Sequence, residues 1–156
     1  MLETRIATVA DSALITAHRH AMFADMGSAP ASILDAMNRA FEPWVARMIA
    51  QDKYIGWITR DGGRPVASAG LLVLDWPPHP FDPSSEHRGY LLNVFVDPEF
   101  RRRGLAHALV DRCLAEAHRR RLRVVALHSS DAGRGIYDAL GFRTTNEMLY
   151  VERVED

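Results

Sequence analysis

Residues 91–106 read Leu91-Leu92-Asn93-Val94-Phe95-Val96-Asp97-Pro98-Glu99-Phe100-Arg101-Arg102-Arg103-Gly104-Leu105-Ala106. The run from Gly89 to Val96 is apolar on both alternating faces apart from Asn93, as expected of a strand covered on each side. Asp97-Pro98 ends it, because proline cannot donate to a sheet ladder and restricts the residue before it. From about Gly104 the period changes to that of a helix running to Arg120, with Leu105, Ala106, Leu109, Val110, Cys113, Leu114 and Ala117 on one stripe. A helix start leaves its first amides unpaired and carries partial positive charge, so this strand, turn and glycine-led helix can hold phosphate oxygens, with the arginines adding charge-assisted donors. Asn93 is expected to make a local hydrogen bond, and Cys113 to be a core residue.

Working outward, Thr4 to Ala7 reads as an opening strand, and Thr8 with Asp11 as a weak capping box before a helix to about Ala24. Gly27 and Pro30 interrupt it. Apolar spacing predicts a further helix over Ile33 to Gln51, which Pro43 should kink or split in two. Tyr54 to Thr59 and Val66 to Leu74 are strand-like around Asp61-Gly62-Gly63, a hairpin signal. Four prolines stiffen the loop Asp75 to Arg88. Beyond the central helix come a strand Arg123 to His128, a short helix near Ala132 to Leu140 and a closing strand near Glu147 to Val154. The order β-α-α-β-β-β-α-β-α-β implies an α/β protein around a mixed sheet.

The chain has 156 residues, 47% of them hydrophobic and 25% charged, which fits one domain over residues 1–156. The lone Cys113 allows neither an intrachain disulfide nor a cysteine cluster for zinc, excluding a secreted disulfide scaffold and a zinc finger. The first twenty residues carry Glu3, Asp11, His18 and His20 instead of the apolar run of a signal peptide, and no stretch approaches the ~20 apolar residues of a membrane span. A cytoplasmic protein without a membrane partner is expected. Net charge is −1, and of the 19 basic residues only Lys53 is a lysine. The arginines gather at Arg101 to Arg103 and Arg119 to Arg123, a pattern that suits one anionic ligand better than nucleic acid. Neither nucleotide-binding glycine motif occurs. His107, His118 and His128 lack metal-ligand spacing, so no metal is expected.

Downstream, residues 129–142 read Ser129-Ser130-Asp131-Ala132-Gly133-Arg134-Gly135-Ile136-Tyr137-Asp138-Ala139-Leu140-Gly141-Phe142. Arg101-x-x-Gly104-x-Ala106, followed by Ile136-Tyr137-x-x-x-Gly141-Phe142, resembles the coenzyme A signature of the GNAT superfamily of N-acetyltransferases. The sequence departs at Ser130, where many members carry asparagine, and at Gly133, where alanine is usual. The resemblance implies a mixed, mostly antiparallel central sheet flanked by helices, with two splayed parallel strands, Leu91 to Val96 and Val124 to His128, forming the coenzyme cleft.

It implies acetyl-CoA as co-substrate. Backbone near Phe95 and Val96 would pair with the pantetheine arm, amides of Arg101, Arg102, Arg103, Gly104, Leu105 and Ala106 would take the pyrophosphate, and Ser130 would bond a pantetheine amide. Tyr137 would protonate the departing thiolate. The activity implied is acetyl transfer to a primary amine of a small molecule or peptide by direct attack in a ternary complex. The competing reading is a non-enzymatic coenzyme A-binding sensor or partner module. An amine must attack unprotonated, and the sequence offers Glu86, His87, Tyr90, His79, His18 and His20 as candidates for the base without choosing. A homodimer is admitted through Trp44, Trp57 and Trp76 if exposed.

Overall fold

The two glycines after Asp61 close a two-residue turn, Asp61 standing opposite Arg64, and this hairpin seeds the sheet. The computed structural model describes residues 1–152. Strands β1 (Leu2–Ile6), β2 (Tyr54–Asp61), β3 (Arg64–Asp75), β4 (His87–Val96) and β5 (Val125–Leu127) lie side by side in chain order. The first four are antiparallel and β4 and β5 are parallel. Helices α1 (Ser12–Met26) and α2 (Ala31–Ala50) cover one face, where Ile15, Phe41, Val45, Tyr54 and Ile58 form a core. On the other face α3 (Leu105–Arg119) buries Leu109, Val110, Cys113 and Ala117 against Trp57, Leu71 and Leu91, and α4 (Arg134–Ala139) follows β5. Cys113 is a fully buried core residue whose thiol burial pushes up to about 12.

Three expectations need correction. Pro43 does not split the helix in two: the residues around it form one helix, because Phe41 and Val45 on either side of it are buried and packing outweighs the one lost backbone bond. The closing strand is absent over residues 147–152, which have no regular structure, and residues 153–154 of that expected strand lie outside the described residues. Met148, Leu149, Tyr150 and Val151 are 70–94% exposed and pair with no strand among the described residues. Trp57 is in the core at 5% exposure, leaving Trp76 as the most exposed tryptophan.

The second arginine group is structural at its start. Arg120 forms a two-pronged ion pair with Asp52 (2.7 and 2.9 Å) and a further bond to Glu116 (2.9 Å), which Arg119 also grips. These guanidinium bonds hold the Glu116 carboxyl down at about 2 despite its partial burial. The C-terminal end of α3 is thereby tied to the turn between α2 and β2, where Lys53 accepts the Val73 amide through its carbonyl. Arg5 and Asp11 make a similar two-pronged pair, and the Asp11 carboxylate also caps the Thr8 amide at 2.8 Å.

Along β3 and β4 the register slips by one residue. Ser68 faces Phe95 and Gly70 faces Leu92, so Ala69 alone stands opposite both Asn93 and Val94. This is a β-bulge, with Asn93 at φ +56°. It is held from below by Tyr54, whose ring fills the space over Gly70 and whose hydroxyl accepts from Asn93 Nδ2 at 3.1 Å. A Cβ on Gly70 would overlap that ring. Gly70→Ala is therefore expected to lower stability by about 1–3 kcal/mol in urea unfolding, and combining it with Tyr54→Leu should cost less than the sum of the two changes. Additive losses would show that the glycine is not there to admit the tyrosine.

Candidate active site

The bulge lies where the sheet opens. Pairing of β4 to β5 ends at Leu91 with Leu127, yet β4 continues to Val96. Gly89 donates its amide to Val124, just before β5, whereas Asp97, past the bulge, donates to Val66 of β3. Strand alternation then turns the backbone groups of Phe95 toward β3 and those of Val94 and Val96 toward the open edge. The Val96 carbonyl is taken by Arg101 Nε at 3.1 Å. The amides of Val94 and Val96 and the Val94 carbonyl are thus presented along an edge with no neighbouring strand. Of the two residues expected to offer backbone here, Val96 does so and Phe95 packs its ring on His18 (4.5 Å between centroids). Val94 was not anticipated.

At the end of that edge, a short 3-10 turn (Pro98–Phe100) leads to α3. Gly104 caps the helix at φ +77°, a conformation open to glycine at no steric cost, and a Cβ there would meet nothing within 4 Å. The first turn of α3 has no acidic residue, so its free amides at Leu105, Ala106 and His107 face outward uncompensated. The arginines before it divide their work. Arg101 bridges Val96 and Asp25 (3.0 Å), Arg103 lies over the Phe100 ring, and Arg102 is exposed in a left-handed conformation.

Across the opening, Tyr137 on α4 is half-buried against the core and meets Phe142 edge-on at 5.7 Å. Burial raises its phenol above the ordinary value, with Cys113 adding to the shift, so it holds its proton throughout the neutral range. Ser130 Oγ accepts the Gly133 amide at 3.2 Å, which leaves the hydroxyl hydrogen free to donate.

The helix-covered side of the same opening carries one group that the sequence reading passed over, Arg19, and one that it named, Tyr90. Arg19 of α1 donates from Nη1 to Asn93 Oδ1 (2.7 Å) and lies over the rings of Phe23 and Phe41. Tyr90 of β4 hydrogen-bonds His128, the residue just past β5. Of the proposed bases, Tyr90 is therefore brought to the opening. His18 is buried with Nδ1 bonded to Ser68 Oγ (2.7 Å), and burial, opposed by Asp97, pushes it down to about 4. His20 bonds Asn38, His87 approaches Asp75, and His79 sits within the proline-rich loop. Among the described residues no three potential metal ligands gather.

Two parallel strands whose pairing stops, a bare helix N-terminus beyond them and a protonated phenol beside them surround one opening. The chain belongs to the acetyltransferase (GNAT) family, whose pattern it matches over residues 19–142, and it is an acetyltransferase by that membership. A GCN5-related N-acetyltransferase from Ralstonia eutropha JMP134 is 38% identical, with a TM-score of 0.92 over 97% of this chain and 99% of that one. A predicted acetyltransferase from Clostridium acetobutylicum, solved with acetyl-CoA, is 26% identical, with a TM-score of 0.89 over 97% and 96%. No curated protein matches the chain.

The bare helix start yields a paired test. Gly104→Glu and Gly104→Gln impose the same left-handed strain, about 1 kcal/mol, but only the first places a carboxylate at the free amides. At 100 times its dissociation constant acetyl-CoA should stabilise the parent by about 2.7 kcal/mol. Thermal unfolding should show that gain largely kept in Gly104→Gln and abolished in Gly104→Glu. Equal gains in both would place the pyrophosphate elsewhere.

Proposed function

We propose that this protein transfers the acetyl group of acetyl-CoA to a primary amine of a small molecule or peptide, by direct attack with both substrates bound. The observation that carries this reading is the unpaired edge of β4 ending at the bare N-terminus of α3. One is a backbone template for an amide-bearing arm and the other a cradle for its pyrophosphate. The amides of Val94 and Val96 also lie where they can stabilise charge on the acyl oxygen, an effect worth roughly 3 kcal/mol at preorganised sites. Bound acetyl-CoA supplies an activated thioester. The amine forms the new C–N bond as the C–S bond breaks, Tyr137 gives its phenol proton to the departing sulfur, and the Tyr90–His128 pair relays the surplus amine proton to water. The reaction needs no metal.

The cytoplasmic setting and the lack of a nucleic-acid partner belong to the same proposal. The second of these is favoured by the internal pairing of Arg5, Arg64, Arg101, Arg119 and Arg120 with carboxylates, which reduces the cationic charge open to a polyanion. No helix among the described residues is long and apolar enough to cross a membrane. The homodimer is proposed through the C-terminal segment. Met148–Val151 is exposed, β5 has no strand on its outer side, and beside it opens a hollow of about 1170 Å³ lined by Leu122, Val125, Leu140 and Phe142. The segment of a second copy fits there as an added strand. Light scattering should give a dimer that becomes monomeric when Met148 and Tyr150 are changed to Asp; an unmodified monomer at micromolar concentration would refute it.

Release of free thiol from acetyl-CoA across polyamines, amino acids, aminoglycosides and peptides tests the activity, and no release with any amine would reject it. Tyr137→Phe keeps the ring packing and loses only the hydroxyl. Turnover should fall about 100-fold with little change in acetyl-CoA affinity, and an aryl-thioester donor, whose thiolate leaves more easily, should recover most of the loss. Full turnover with acetyl-CoA, or equal slowing with both donors, would make Tyr137 a packing residue.

A further inference from the structure

Arg19 is a half-buried guanidinium on the helix-covered side of the opening, and its partners do not account for it. Nη1 is anchored on Asn93 at the bulge, and the group lies 4.9 Å from the Phe23 ring centroid and 4.8 Å from that of Phe41. Nε is buried with no hydrogen-bond acceptor. Arg5, Arg64, Arg101, Arg119 and Arg120 each have a carboxylate; Arg19 has none among the described residues, although burial of its charge is unfavourable. The groups around it are the phenols of Tyr54 and Tyr90, neither of them anionic at neutral pH. A half-buried arginine held over two aromatic rings, with Nη1 anchored on Asn93 and Nη2 unpaired and not sealed from solvent, is preorganised for a planar two-oxygen anion.

Resting on the acetyl-transfer reading above, we propose that Arg19 binds a carboxylate of the acceptor, which makes the substrate class a small amine that bears a carboxylate close to its amino group, as an α-amino acid does. The anchor on Asn93 sets the distance. Asn93 precedes Val94, whose amide faces the coenzyme edge, so a carboxylate on Arg19 holds an amine a few bonds away at the acyl position. The aromatic walls favour the compact, flat carboxylate over the larger and more strongly hydrated phosphate.

The test compares amino acids with their amides and with decarboxylated amines, and includes phosphoethanolamine. Two readouts are used: thiol release, and calorimetric binding of the acceptor to the protein loaded with coenzyme A. The parent should favour the carboxylate member of each pair by roughly 100-fold. Arg19→Gln should bring the acid-to-amide preference, measured as a ratio within the variant, near unity, and Arg19→Lys should fall between. Equal use of acids and amides by the parent, preference for phosphoethanolamine, or an equal loss for acids and amides in Arg19→Gln would each overturn the assignment. Binding keeps the two readings separable. If no acceptor is acetylated but carboxylates bind in an Arg19-dependent way, the transfer reading fails and the Arg19 site stands; acetylation without any carboxylate preference has the opposite meaning.

Discussion

One extra residue in β4 governs this molecule. Were β4 regular, Phe95 rather than Val94 and Val96 would present its backbone at the open edge, and no change of direction would coincide with the end of the β5 ladder. The bulge reverses which backbone groups look outward at the point where the sheet parts. Holding a non-glycine residue at positive φ has a cost, and the structure offsets it with a buried set of contacts: Tyr54 beneath, Arg19 above, and Gly70 small enough to let the phenol through. Buried polar groups on this scale are stable only when nearly all their bonds are made. Within this set of contacts the exception is Arg19 Nε, which has no partner.

The charge distribution follows a similar logic. A chain with net charge −1 but locally dense arginine could have been a surface of mobile cations. Instead five of the arginines, Arg5, Arg64, Arg101, Arg119 and Arg120, pair with the carboxylates at Asp11, Asp25, Asp52, Asp97 and Glu116, and most of these pairs fasten one element to another. Exposed pairs of this type contribute little stability individually. Their larger effect is to leave positive potential at few places, notably the start of α3 and the guanidinium beside Asn93.

How much of this could be read from the residues depended on how local the determinant was. The strand, turn and helix of residues 91–106 announce themselves because period, proline and glycine all act within a few positions, and the same segment carries the anion cradle. Arg19 and Asn93 stand 74 residues apart, and Tyr90 and His128 38 apart, so the acceptor side exists only after the sheet and α1 have come together. The bulge was hidden because Asn93 looks the same in a regular strand as in an irregular one. The expected strand at 147–154 misled for a related reason: alternation marks a segment able to pair and does not say whether it pairs within its own chain, which residues 147–152 do not. Pro43 is the reverse case, a local signal overruled by burial of its neighbours.

The near-absence of lysine takes on meaning beside such a site. Any protein that keeps an activated thioester bound risks acylating its own amines. Guanidinium groups stay protonated and do not react as nucleophiles near neutral pH. Lys53 lies on the turn between α2 and β2, in the row where Val73 meets Gly89, while the coenzyme edge ends at Val96, at the other end of β4. By using arginine wherever a cation is needed, the fold obtains its ion pairs and its anion-binding charge without placing a competing acceptor near the reactive acyl group.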